Sequence, residues 1–91
     1  MQTLEIGLGE SIDSRREILR RVKGRVILVQ HDKYGKVRGK VESLADNQFN
    51  IRKPTNDALA MLFAKVYTLS YNRISKLEIV NPTQDDYRNF V

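Results

Sequence analysis

The chain has 91 residues, no cysteine, and a formal net charge of +5 from 16 Lys and Arg against 11 Asp and Glu. That length makes one domain over 1–91 with a thin core, and the missing cysteines exclude disulfides, thiolate metal sites and cysteine nucleophiles. The basic balance makes polyanions the default partners, because neutralised phosphates release condensed counterions, although a basic surface kept for solubility gives the same count.

Residues 1–10 form an N-terminal arm. Leu4 to Gly9 is apolar, punctuated by glycine and without a sustained period, so it reads as an extended arm or a loop. Ser14-Arg15-Arg16-Glu17 fits the capping-box pattern, so a helix is expected to begin at Ser14. Ile18, Leu19 and Val22 share one stripe at helical spacing, Arg15, Arg16, Arg20 and Arg21 cover the rest, and Gly24 suits the left-handed conformation past the last turn.

From Arg25 the period becomes that of a strand. Val26-Ile27-Leu28-Val29 leads into a polar hairpin, His31-Asp32-Lys33-Tyr34-Gly35. Val37, Gly39 and Val41 then alternate with Arg38, Lys40 and Glu42, and a glycine on the inner face of a strand marks a sharp bend or a close backbone approach. Asp46-Asn47-Gln48 is a turn, and Phe49 to Lys53 alternates until Pro54. Residues 54–60 read as a loop, and Met61 to Leu69 as a long, largely buried strand. Ser70-Tyr71-Asn72-Arg73 is a tight turn before a last strand, Ile74 to Val80. Residues 81–91 form a polar tail that suits a short helix with Tyr87 and Phe90 as its apolar contacts.

This order of elements, with Gly39 inside the second strand and Asp46-Asn47-Gln48-Phe49-Asn50 entering the third, resembles the Sm-like family, which includes the bacterial Hfq proteins. Val26 to Val29, Tyr34-Gly35, Gly39 and residues 46–50 stand for its first motif. Leu69-Ser70-Tyr71-Asn72-Arg73-Ile74 stands for its second, and the resemblance covers roughly 14–80, in a divergent form suggesting a bacterial or phage type. The fold it implies is mainly β: a short N-terminal helix followed by a five-stranded, strongly bent antiparallel sheet, a small barrel of the Sm-like and SH3-like kind.

The resemblance implies a non-catalytic module that binds single-stranded RNA. It also implies a homo-oligomeric ring of about five to seven subunits, closed by pairing the strand at 61–69 of one copy with the strand at 74–80 of the next, which removes both sheet edges. The RNA site it implies joins the two turns. Asp46 orients the first turn, Asn50 bonds a base edge, and Gln48 stands where relatives stack an aromatic or histidine. Tyr71 then supplies the missing stack, beside Asn72, and Arg73 a phosphate charge. A secondary basic surface is Arg15, Arg16, Arg20, Arg21 and Lys23, with Arg25.

Two other readings stay open: an assembly ring without an RNA ligand, and a monomeric SH3-like barrel binding protein or ribosomal RNA. With one histidine and no glycine-rich phosphate loop, no enzyme and no cofactor are expected. His31-Asp32 reads as a turn pair, and Asp85-Asp86 as solvated carboxylates of ordinary acidity. No apolar run approaches the roughly 20 residues that cross a bilayer, and Met1 to Glu5 lacks a basic leader, so a cytoplasmic protein without membrane contact is expected.

Overall fold

The computed structural model describes residues 2–53 and 65–90. The loop expected over 54–60 and the start of the strand expected from Met61 lie outside the described residues. The remainder is a six-stranded antiparallel sheet carrying two helices, with no helix long and apolar enough to cross a membrane among the described residues. In chain order these elements are β1 (Thr3–Ile6), α1 (Ile12–Arg21), β2 (Val26–His31), β3 (Gly35–Leu44), β4 (Gln48–Arg52), β5 (Val66–Ser70), a 3₁₀ turn (Tyr71–Arg73), β6 (Ile74–Val80) and α2 (Gln84–Phe90).

The strands lie in the order β1-β6-β2-β3-β4-β5. The expected count of five strands is therefore corrected to six, and the helix is not the first element. Residues 3–6 pair with β6 in the register Thr3 to Val80 through Ile6 to Leu77. Leu4 and Ile6 flank Glu5, and the segment gains its hydrogen bonds from a partner more than seventy residues away, which no local pattern discloses.

The helix starts earlier than its expected capping box. Ser11 is the N-cap, in extended conformation, and its hydroxyl accepts the Ser14 amide at 3.0 Å. Ser14 lies one turn inside the helix, and Glu17 holds Arg20 instead of returning to the cap. Leu19 and Val22 are buried, with Ile12 and Ile18 packed beside them, and Gly24 follows with φ +84°.

Alternation along β3 buries Val37, Gly39 and Val41 and leaves Lys36, Arg38 and Lys40 exposed. The β3–β4 register slips between Val41 and Ser43, a bulge that bends the strand. At Gly39 the approach is close: a Cβ there would stand 2.2 Å from Ile51 Cγ2 and 2.5 Å from the Arg52 carbonyl oxygen. The inner rows of the sheet, with Leu19 and Val22, make the core.

The tail forms α2, with Phe90 against the core and Tyr87 exposed. Its anchor is Asp86, which corrects the expectation of two solvated carboxylates. Asp85 is exposed, but Asp86 is only 5% exposed. It accepts two 2.8 Å bonds from the Arg25 guanidinium and one of 2.7 Å from the Thr83 amide, while its own amide donates to the Thr83 hydroxyl at 3.3 Å. This is a capping box locked onto the start of β2.

Arg25 first, and then the Thr83 bonds, hold the Asp86 carboxyl at about 2, against burial, which raises it. A depressed carboxyl stabilises the fold above its ordinary value, and the gain is lost as pH falls through the folded one. We therefore expect on the order of 2 kcal/mol of stability to disappear between about pH 4 and pH 2. In acid titrations of urea midpoints, Asp86→Asn should lack that segment of slope and converge with the parent near pH 2. Independently, Gly39→Ala should lower stability by roughly 1–3 kcal/mol in urea unfolding, because backbone must move to admit the methyl group.

Candidate nucleic-acid interface

The two turns of the expected site do meet. The Tyr71 amide donates to the Asn47 carbonyl at 3.4 Å, and the Tyr71 hydroxyl to the Ala45 carbonyl at 2.8 Å. Tyr71 itself is 0% exposed and stacks on Phe49 with ring centroids 5.3 Å apart, so the base-stacking role expected for it is corrected: it is a core residue. Burial pushes its hydroxyl pKa up. Asn50 is engaged at both ends of its amide, donating to Ser43 Oγ at 2.9 Å and accepting from Thr68 Oγ1 at 2.8 Å, so it bridges β3, β4 and β5. Asp46, Gln48, Asn72 and Arg73 are exposed. Arg73 lies 3.7 Å from the Asp32 carboxylate.

The helix arginines are held by the protein's own acceptors. Arg15 donates to the carbonyls of Gly9 at 2.7 Å and of Tyr71 and Ile74 at 2.8 Å each. Arg16 bonds Asp13 and the Asp46 carbonyl. Arg20 forks onto Glu17, and Arg21 lies over the Phe90 ring and donates to the Asn89 carbonyl. Between α1 and the β3–β4 turn runs a groove of about 480 Å³. Asp13, Glu17 and Asp46 face Arg16 and Arg20 in it. Carboxylates outnumber guanidiniums there, which does not suit a phosphate.

A second group of cations gathers on β3. Lys36, Arg38 and Lys40 project from the outer face of β3, opposite Gln30, Leu28 and Val26 of β2. Lys23 joins them beside Lys40 at the end of the row, where the Gly24 amide bonds the Val41 carbonyl. Arg52, opposite Lys40, bonds Glu42. Same-face side chains on a strand stand about 7 Å apart, so the three β3 cations repel along the row. Lys23 belonged to the expected secondary basic surface, whereas Lys36, Arg38 and Lys40 were absent from the expected site. Their signal was the alternation of Lys36, Arg38 and Lys40 with Val37, Gly39 and Val41, which points every charge of the strand to one side.

The His31-Asp32 turn pair is present as expected: His31 is buried, and its Nδ1 accepts the amides of Lys33 at 3.0 Å and Tyr34 at 3.3 Å. Comparison with family models, with curated proteins and with solved structures finds no match.

Arg15 separates a strut from a ligand-binding cation. Arg15→Lys keeps the charge but cannot reach three carbonyls, so stability in urea should fall by about 1–3 kcal/mol. Any affinity for single-stranded RNA should stay within about twofold by anisotropy.

Proposed function

We propose that the protein is a non-catalytic module that binds single-stranded RNA through the outer face of β3. The observation carrying this reading is the sorting of its cations. The arginines of α1, and Arg25, close hydrogen bonds and ion pairs within the fold, whereas Lys36, Arg38, Lys40 and Lys23 stand together on one exposed face. Like charges in a row destabilise a sheet, and a polyanion is the partner that turns that repulsion into binding. The half-buried Val26 and Leu28 beside the row offer apolar surface that a base can cover and a solvated charged face does not need. The strand order supports a relationship to Sm-like proteins: β1 aside, the sheet runs β6-β2-β3-β4-β5 with the two later strands at its ends.

A second reading, a self-assembling ring, is favoured by two strand edges that carry no partner strand among the described residues. The ring changes form, however. The edge of residues 74–80, expected to receive a neighbour, is occupied by the chain's own β1, so a closed ring would join β5 of one copy, where Val66 is exposed, to β1 of the next.

Replacing Lys36, Arg38 and Lys40 together with Gln should weaken binding of a ten-nucleotide RNA. It should also make the dependence of log K on log salt shallower by about 2, at roughly 0.7 for each single-strand phosphate contact. An unchanged slope would place the phosphates elsewhere, and the same protein in light scattering reports whether the ring forms.

A further inference from the structure

The tip of the β2–β3 hairpin carries a feature that the basic row does not explain. Tyr34 is 48% exposed, yet its ring is fixed on two sides. It stacks on His31 with centroids 5.0 Å apart at 29°, and meets Tyr67 edge to face at 5.5 Å. The backbone beneath it is equally constrained. The Lys33 and Tyr34 amides bond His31 Nδ1, the Asp32 amide donates to the Arg73 carbonyl at 3.1 Å, and Gly35 takes φ +70° to start β3. Two ammonium groups attend the pair, with Lys33 Nζ 5.4 Å from the Tyr34 centroid and Lys65 Nζ 5.0 Å from that of Tyr67.

We propose that this tip is a base-stacking site, in which the Tyr34 ring receives one nucleobase of the bound strand while Lys33 and Lys65 hold the adjoining phosphates. The proposal rests on the RNA reading above and names the second contact that reading lacks. Covering His31 and Tyr67 needs only the inner face and edge of Tyr34; half of the residue remains open to solvent. An exposed aromatic already held in one orientation loses little conformational freedom on stacking. Exposed rings interleaved with cations are the platform that tolerates any base, since every base has a π-face. Tyr34 stands two residues before Lys36 at the tip of the hairpin, with its ring turned to the inner side over His31 and Tyr67, so a strand laid along Lys40, Arg38 and Lys36 reaches it by passing round the tip.

The test compares fluorescein-labelled oligouridylate of ten nucleotides with an abasic ribose-phosphate chain of equal length and charge, by anisotropy on the full chain. The parent should bind the oligouridylate more tightly than the abasic chain. Tyr34→Leu, which keeps an apolar cover over His31, should weaken oligouridylate binding by about 5- to 150-fold and leave abasic binding unchanged; Tyr34→Phe should retain the parent affinity. Oligouridylate affinity unaltered in Tyr34→Leu, or equal binding of both chains by the parent, overturns the stacking site while leaving the basic row standing. Binding of neither chain overturns the RNA reading itself. Because the parent comparison requires no substitution, the proposal remains decidable even if Tyr34→Leu fails to fold.

Discussion

One guanidinium organises the end of the molecule where the turns converge. Arg15 reaches from α1 to the carbonyls of Gly9, Tyr71 and Ile74, and so fastens the link before the helix, the 3₁₀ turn and the start of β6 to a single planar group. With the 3₁₀ turn fixed, the Tyr71 side chain lies over Phe49 and its hydroxyl reaches Ala45, which in turn sets the β3–β4 turn. Carbonyls at such a junction have no strand partner, and an arginine answers several of them at once. The consequence for function is indirect but decisive. The Arg15 guanidinium, engaged by three backbone carbonyls, is withdrawn from any ligand, and that position of α1 is scaffold.

The same economy of contacts governs the sheet edges. The N-terminal segment covers β6 as β1, and α2 is tethered behind it by Asp86 and Arg25. A small sheet of this size has little core to lend to its edges, and a strand contributed by the chain itself covers the edge that β6 would otherwise expose. Self-association therefore is not forced by the edge at β6, and the proposed RNA binding does not require it.

Much of the sheet was legible because its signal is local. The alternation from Val37 to Val41, the hairpin at His31 to Gly35 and the strand from Ile74 to Val80 all follow from period two and turn chemistry. Gly39 announced its close approach to Ile51 through the lack of a side chain at a core position. What was not legible depends on distant partners. Asp86 reads as one of two solvated acids until Arg25, far away in sequence, is placed beside it. Tyr71 sits in a tetrapeptide of turn character, and only packing against Phe49 reveals that its ring points inward. Arg15 is indistinguishable in sequence from Arg16 or Arg20, since an amphipathic pattern marks the polar face of a helix without saying what that face touches. For the site, the two turns lie together, with Tyr71 drawn into the core and Asn50 bonded to Ser43 and Thr68, while Asp46, Gln48, Asn72 and Arg73 stay exposed.

The most direct test of the basic-face account is a titration of ¹⁵N-labelled protein with ten-nucleotide oligouridylate, followed by amide chemical shifts. The account predicts the largest shifts along β3 at Lys36, Arg38 and Lys40 and at neighbouring Lys23, with the amides of Arg15 to Arg21, Asn50 and Tyr71 little changed. Shifts centred on Asp46 to Asn50 and Tyr71 to Arg73, with β3 silent at its outer residues, would contradict it.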